Sequence, residues 1–441
     1  MDSVLLSRLQ FALTAGFHFL FPPLTIGLSW FLVGWIGRWW RTGREEYRRT
    51  ARFWLHIFAV SFAVGVASGI PLEFQFGTNW AGYARFVGDV FGAPLAAEGI
   101  LAFFLESVFI GVLLFGWTRL SSRTLWVASW MVAVGSTLSG FWIIVANSWQ
   151  QTPAGFRIVN GRAELTDLGA ALWNPSTLPR YLHTIGGALL TGALFVLGVS
   201  ALYLLRHRHR ALARAWIRPA LGTALAAAVL QLGLGHYHAM QVAETQPEKL
   251  AAVEGLFESG PRAPALLFGV PDAEAGRMRA AVKVPGLLSL LAFGDVDAYV
   301  QGLDAFPRDE WPPLALTFYP FHLMVGLGMF FLALPALGLI LWWRGRLETR
   351  RAYLRAAVWA IPLPFVANEL GWITAEVGRQ PWIVYRVLRT QDAVSASLPA
   401  SHVAVSFFGF GVLYAVLFAV WIRLLKRAVD KGPAPAEGGP A

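Results

Sequence analysis

Nine apolar runs decide what this chain can fold into. They lie near residues 10–36, 52–76, 93–117, 124–148, 181–205, 217–240, 314–343, 352–375 and 403–425. A helix of roughly 20 apolar residues crosses the hydrocarbon core of a bilayer. Charged residues are only 14% of the 441, and hydrophobic residues are 56%. Ordinary soluble domains carry about 25% charged residues, so a soluble or disordered chain is excluded. The expected fold is all-α: a polytopic membrane protein of about nine transmembrane helices. The chain opens Met1-Asp2 with no basic n-region, and its first apolar run is too long for a signal peptide. No repeat of fixed period is visible.

The loops set the orientation. Arg38, Arg41, Arg44, Arg48, Arg49 and Arg52 follow the first run; Arg119 and Arg123 follow the third. Arg206, Arg208, Arg210 and Arg214 follow the fifth, and Arg344, Arg346, Arg350 and Arg351 the seventh. Arg423, Lys426, Arg427 and Lys431 close the ninth. With nine spans all of these fall on one side. The positive-inside rule puts that side, and the C-terminus, in the cytoplasm and the N-terminus outside. The net charge of +10 therefore reads as membrane orientation, not nucleic-acid binding. The expected division is helices 1–6 over 1–240, an extracytoplasmic loop over 241–313, helices 7–9 over 314–425 and a cytoplasmic tail over 426–441. The loop is too long for a simple connection, and long loops are often functional. The Pro/Gly/Ala-rich end from Gly432 reads as disordered.

The chain has no cysteine. This removes disulfides, thiolate metal sites, iron–sulfur clusters and covalent haem attachment. A metal must be held by His, Met or carboxylate. Ionisable groups inside spans are costly and each needs a reason. Those that stand out are His18, Glu98, Glu106, His183, His322, Glu369 and Glu376, with the thioether of Met324. On the nine-span topology His18, Glu98, His183, Met324, Glu376 and Arg379 converge on the outer half.

Each group also has a plain structural role open to it. His18 or His183 could bond a neighbouring backbone or sit at the interface, and a lone Met usually packs. Glu369 could bond a neighbouring helix. Glu98 and Glu106, eight residues apart, stand roughly 12 Å apart along a helix. That spacing suits a proton relay or a cation site, or two interhelical hydrogen bonds. His236 and His238 point to different helix faces, which argues against a shared metal, and His183 has no evident His partner. His322 cannot share a metal with Met324 from one helical face, but could bond a haem propionate. Imidazole plus thioether is an axial pair suited to electron transfer, and a lone His or Glu leaves an open iron position. Haem is therefore suggested; a transporter built from the same residue types stays open at this point.

Longer segments carry a resemblance. They are SRLQFALTAGFHFLF (7–21), EFQFGTNW (73–80), FGAPLAAEGILAFFLES (91–107), STLSGFWIIVANSWQQTP (136–153), LPFVANELGWITAE (363–376) and GRQPW (378–382). Through them the chain resembles subunit I of the cytochrome bd family of quinol oxidases over essentially its whole span region. The resemblance implies a haem-binding bundle with a low-spin haem b, a high-spin haem b and a haem d (or a third haem b). It implies His183 and Met324 as the low-spin axial pair, and His18 and Glu376 as ligands of the other two haems, in an order left open. Glu98, Glu106 and Ser139 correspond to the proton path, Trp372 to an electron relay, and Arg379 and Arg8 to propionate partners. The 241–313 loop corresponds to the quinol-binding loop, with Lys249 and Glu254 as its functional pair.

Two departures show. His322 stands where many relatives have Arg, and the loop is of the short kind. The implied function is the catalytic subunit of a quinol:dioxygen oxidoreductase in the bacterial inner membrane. It would oxidise quinol outside and reduce dioxygen with cytoplasmic protons, without a pump. The implied partners are a second integral subunit and a small single-span accessory subunit, with no nucleic acid. The rivals are a cation transporter using Glu98 and Glu106, which would favour broken helix pairs in two related halves, and a di-haem b electron-transfer cytochrome.

Overall fold

The computed structural model describes residues 2–435. Among them, nine helical stretches are long and apolar enough to cross a membrane: Ser3–Thr42, Glu45–Thr78, Ala81–Phe115, Ser122–Gln151, Leu168–Leu205, Arg210–Thr245, Leu314–Trp343, Arg351–Val377 and Ala400–Lys431. They match the nine apolar runs in number and order, and overshoot them because the end turns run on into the connections.

Two spans expected as single helices are broken. Span 1 is α1 (Ser3–Phe19) and α2 (Pro22–Thr42). Pro22 lacks the N–H that would reach the His18 carbonyl; the Phe21 N–H takes that carbonyl instead, at 3.1 Å. The next helices are α3 (Glu45–Thr78), α4 (Ala81–Ala97) and α5 (Phe104–Phe115). A π-helical segment, Glu98–Phe103, joins α4 to α5; such segments are frequent at functional sites. Then come α6 (Ser122–Gln151), α7 (Leu168–Leu172), α8 (Thr177–Leu205), α9 (Arg210–Thr245) and α10 (Pro247–Glu254). After α11 (Leu287–Phe293) and α12 (Leu314–Trp343), span 8 divides into α13 (Arg351–Trp359) and α14 (Leu363–Val377). Pro362 and Pro364 remove the N–H groups due to Val358 and Ala360, and Ile361 and Leu363 bond those carbonyls at 3.2 Å each. The last span is α15 (Ala400–Lys431).

The bundle packs on small residues and aromatic rings. A Cβ on Gly27 of α2 would stand 2.8 Å from the Gly192 Cα of α8, a close approach of the kind membrane helices use. Beside it Trp54 and Trp216 are fully buried, and Phe53 stacks on Trp216 at 5.3 Å.

The arginine-rich turns share one end. The other end is capped by the hairpin β1 (Phe156–Val159) and β2 (Arg162–Leu165), by the long connection between α9 and α12, and by a short hairpin after α14. The long connection is folded: α10, then β3 (Gly260–Pro261), a hairpin of β4 (Ala265–Asp272) and β5 (Arg277–Val284), α11, and β6 (Tyr299–Val300), which pairs with β3. Leu250, Val253, Leu256, Leu288 and Leu303 give it a small core. The hairpin after α14 is β7 (Trp382–Val384) and β8 (Leu388–Arg389). The described start of the C-terminal tail is docked: the Ala434 carbonyl accepts from Arg49 Nε at 2.6 Å. The rest of the tail expected to be disordered, residues 436–441, lies outside the described residues.

Candidate functional site

Glu376, in the last turn of α14, is the hub of a polar network at the loop-bearing end. Its Oε1 accepts from Asn147 Nδ2 at 3.0 Å and Gln151 Nε2 at 3.2 Å, both from α6. Arg379 Nη2 lies 2.5 Å from Oε2, and Arg180 Nη2 of α8 lies 3.7 Å from Oε1. Both arginines are buried. A carboxylate at membrane depth is tolerable only with such partners.

Lys249 enters the same network from α10. Its Nζ donates to Gln151 Oε1 at 2.6 Å and to Gln246 Oε1 at 2.5 Å. Burial first, then the charges of Arg180 and Arg379, hold its ammonium well below the usual lysine range, against the pull of Glu376 and Glu248. A Cβ on Gly378 would stand 3.1 Å from Lys249 Cγ, so the glycine makes room for the lysine stem. Glu254, at the end of α10, has its carboxyl pushed up to about 7 by burial. Five residues apart, Lys249 and Glu254 point about 140° apart around the helix.

The two span-3 carboxylates are both tied to α6. Ser139 Oγ donates to Glu98 Oε1 at 2.6 Å, and Ser136 Oγ donates to Glu106 Oε1. The two serines sit one turn apart on α6, where neighbouring Cβ atoms are about 5–6 Å apart. The carboxyl groups therefore converge although their backbones stand a turn further apart. Gly135 allows the approach: a Cβ there would stand 3.2 Å from Glu106 Cβ.

His18 closes α1. Its Nδ1 lies 3.1 Å from both the Gly65 carbonyl and Ser68 Oγ of α3. A carbonyl only accepts, so Nδ1 carries the proton and Nε2 keeps a free lone pair, the arrangement of a metal-binding imidazole. A Cβ on Gly69 would stand 3.1 Å from the ring. Trp372 stacks on Phe19 at 5.5 Å, joining α14 to α1 beside His18. Glu369 presses on α1 as well, where a Cβ on Gly16 would meet its Oε2 at 3.1 Å. Its Oε1 is buried without a hydrogen bond, so it does not simply bond a helix neighbour.

His183 of α8 has its Nδ1 buried with no hydrogen-bond partner. Against the sequence reading, it does have a histidine beside it: the His238 ring of α9 lies 6.0 Å away, tilted by 58°. Met324 of α12 faces α14, where a Cβ on Gly371 would stand 2.9 Å from its Sδ. His322 is engaged elsewhere than expected. Its Nδ1 lies 2.9 Å from the Phe318 carbonyl and its Nε2 2.8 Å from the Leu266 carbonyl of β4. The ring thus latches the loop hairpin to α12, with neither nitrogen left for a propionate. Arg8 lies exposed on α1, outside the Glu376 network.

Haem fits these residues. His18 offers a lone pair with its tautomer fixed, and His183 offers a buried ring whose Nδ1 has no hydrogen bond. Glycines lie against the rings of His18 and His183 and against the Met324 sulfur, where a flat macrocycle needs close backbone. Two buried guanidiniums, Arg180 and Arg379, suit propionates.

Sequence reasoning missed Arg180, Asn147, Gln151, Ser136 and His238. A signal existed for two of them. Asn147 and Gln151 lie in a polar run, Asn147 to Thr152, at the end of an otherwise apolar stretch.

Comparison with known proteins identifies the family. Residues 6–433 match the family described as cytochrome bd terminal oxidase subunit I. The chain is 43% identical to cytochrome bd ubiquinol oxidase subunit 1 of Bacillus subtilis (strain 168), covering 98% of this chain and 94% of that one. It is 36% identical to cytochrome bd-II ubiquinol oxidase subunit 1 of Escherichia coli (strain K12), over 98% and 97% of the two chains. A putative cytochrome bd menaquinol oxidase subunit I of Bacillus subtilis is 35% identical, over 98% of each. The solved structure of bd oxidase from Geobacillus thermodenitrificans superposes with a TM-score of 0.91 at 30% identity, covering 98% of this chain and 99% of that one.

Proposed function

We infer the reaction from one premise: this chain belongs to the cytochrome bd terminal oxidase subunit I family. It is a multi-pass bacterial membrane subunit of a terminal quinol oxidase, an enzyme that carries haem and works beside a subunit II. The rival transporter reading falls with that membership. The breaks in spans 1 and 8 are proline breaks of different pattern, Pro22-Pro23 against Pro362 and Pro364, not matched halves.

The finer assignments are ours. His183 and Met324 hold a low-spin haem b. His18 and Glu376 each hold one of the other two, a high-spin haem b and a haem d or third haem b. Bound haem supplies one-electron transfer and an open iron position for dioxygen. Arg379, Arg180 and Arg8 offset propionate charge, and Trp372 lies on the electron route between haems. Quinol docks on the long loop, where Lys249 and Glu254 take up hydroxyl protons. Relatives are named for ubiquinol and for menaquinol, and a quinol of this class is the substrate.

Protons for water enter from the arginine-rich end and pass Glu106, then Glu98, with Ser136 and Ser139 holding the carboxyls in place. With quinol protons released at the opposite, outer face, charge separates without a pump. A small single-span accessory subunit completes the assembly.

The observation that carries this reading is the bridge from Lys249 through Gln151 to Glu376. It supports one buried network linking a loop lysine to a haem-facing carboxylate. Oxygen uptake by the purified complex, driven by a short-chain quinol, tests it. Lys249→Gln should abolish uptake while haem content stays; wild-type uptake in the variant would remove Lys249 from the quinol site.

A further inference from the structure

Glu248 precedes Lys249 on α10 and points about 100° away from it. Lys249 faces inward to Gln151; Glu248 faces the β7–β8 hairpin. Glu248 is 3% exposed, yet neither of its carboxyl oxygens has a hydrogen bond. Its one ionic partner among the described residues, Arg386, stands 3.6 Å away with a side chain 53% exposed. Buried polar groups are ordinarily satisfied, so two orphaned carboxylate oxygens call for a reason.

The hairpin supplies further observations. Arg386 sits at the turn with φ of 54°, a left-handed conformation uncommon for a side chain of this size. Beside it, the Tyr385 hydroxyl is buried and interacts with the Glu248 carboxylate without a well-formed hydrogen bond, and the Arg386 guanidinium lies 5.3 Å from the Tyr385 ring. The Tyr385 N–H donates to the Gln150 carbonyl at 2.9 Å, which anchors the hairpin on α6 next to Gln151. Burial and the neighbouring Glu248 carboxylate push the Tyr385 phenol up. A half-exposed arginine at this distance is a poor structural clamp. The cluster instead runs from a buried carboxylate with unused hydrogen-bonding capacity to a half-exposed arginine.

We propose that Glu248 is a proton acceptor on the exit route from the Lys249 site, with Tyr385 and Arg386 leading from it to the surface. This rests on the reading of the Lys249 helix as the quinol site. As quinol gives up its electrons to the haem acceptor of the oxidase, each hydroxyl O–H bond breaks, its proton is taken up by Lys249 or Glu254, and it passes from there to form a new O–H bond on Glu248. That bond then breaks toward water beside Arg386, whose fixed charge favours the restored carboxylate. Quinone, two protons and two transferred electrons balance each quinol.

The test uses the purified haem-replete complex and a short-chain quinol. Glu248→Gln keeps shape and one hydrogen-bond acceptor but cannot cycle a proton. It should keep its haems, lower kcat by about 100-fold or more and leave KM unchanged, and Glu248→Asp should regain most of the loss. Wild-type kcat, or a raised KM at wild-type kcat, overturns the relay, because the latter marks uniform binding only. If Glu248→Gln does not assemble, Glu248→Asp decides by its solvent deuterium isotope effect on kcat. A larger effect than in the wild type is expected, and an unchanged one overturns the proposal. Lys249→Gln separates the levels. Its inactivity beside a fully active Glu248→Gln sinks the relay alone, whereas full activity of Lys249→Gln sinks the quinol site and the relay together.

Discussion

Lys249 and Glu376 are joined through one side chain: Gln151 accepts from Lys249 Nζ at 2.6 Å and donates to Glu376 Oε1 at 3.2 Å. The amide is oriented by its partners, since an ammonium only donates and a carboxylate accepts. A loop residue and a span residue thereby share one buried network, with Arg180 and Arg379 supplying the opposite charge.

Replacing the bridge should break both halves. Gln151→Leu leaves Lys249 without one of its two acceptors and Glu376 without one donor. The loss of hydrogen bonds to buried charged groups should cost about 1–3 kcal/mol. Lower thermal stability with slower quinol oxidation is expected; a variant with the wild type's unfolding temperature and kcat would show the bridge to be incidental.

Glu106→Gln preserves the hydrogen bond with Ser136 and removes the exchangeable proton. The complex should keep three haems and their reduction by quinol, yet lose oxygen consumption by about 100-fold or more. Ser136→Ala only releases the carboxyl and should slow uptake far less. Near wild-type turnover in Glu106→Gln would mean that protons arrive by another route.

The low-spin site has its own signature. His183→Ala or Met324→Leu should remove the low-spin bands and quinol oxidation together. His238 adds a sharper question, because its ring lies beside His183. If Met324→Leu kept a low-spin spectrum while His238→Leu in the same background lost it, the pair would be two imidazoles.

Glu254 gives a pH dependence of definite sign. Its carboxyl titrates at about 7 in the fold, against about 4.3 in an unfolded chain. Between those values the native state binds more protons, so this group's contribution to stability is present below that window and lost as pH rises through it. Its capacity to accept a quinol proton runs the other way and grows toward pH 7 and above. Both trends should flatten in Glu254→Gln, as read from unfolding temperature and kcat across pH. Unaltered slopes would separate Glu254 from the titration.

Much of this was legible in the sequence because the bilayer leaves little choice. Apolar runs of sufficient length had to be helices, and among the described residues nine were found where nine were read. The breaks at Pro22 and Pro362 were harder, since transmembrane helices often accommodate proline. Glu98 and Glu106 were visible as carboxylates out of place, but their partners Ser139 and Ser136 come from another helix that composition alone cannot align. Arg180, three positions before His183, drew no notice in the sequence; it is buried, 3.7 Å from Glu376. His322 was read from its place beside Met324 as free to bond a propionate; only the folded loop, which brings the Leu266 carbonyl to its ring, reveals the latch.

The central claim is that quinol electrons reach dioxygen through haem held by this chain. The most direct test is a reduced-minus-oxidised visible spectrum of the purified complex, with quinol as the only reductant, taken before and after oxygen is admitted. Low-spin and high-spin haem bands should appear with quinol and vanish with oxygen. A complex without visible bands, or one whose bands quinol reduces and oxygen leaves reduced, would contradict it.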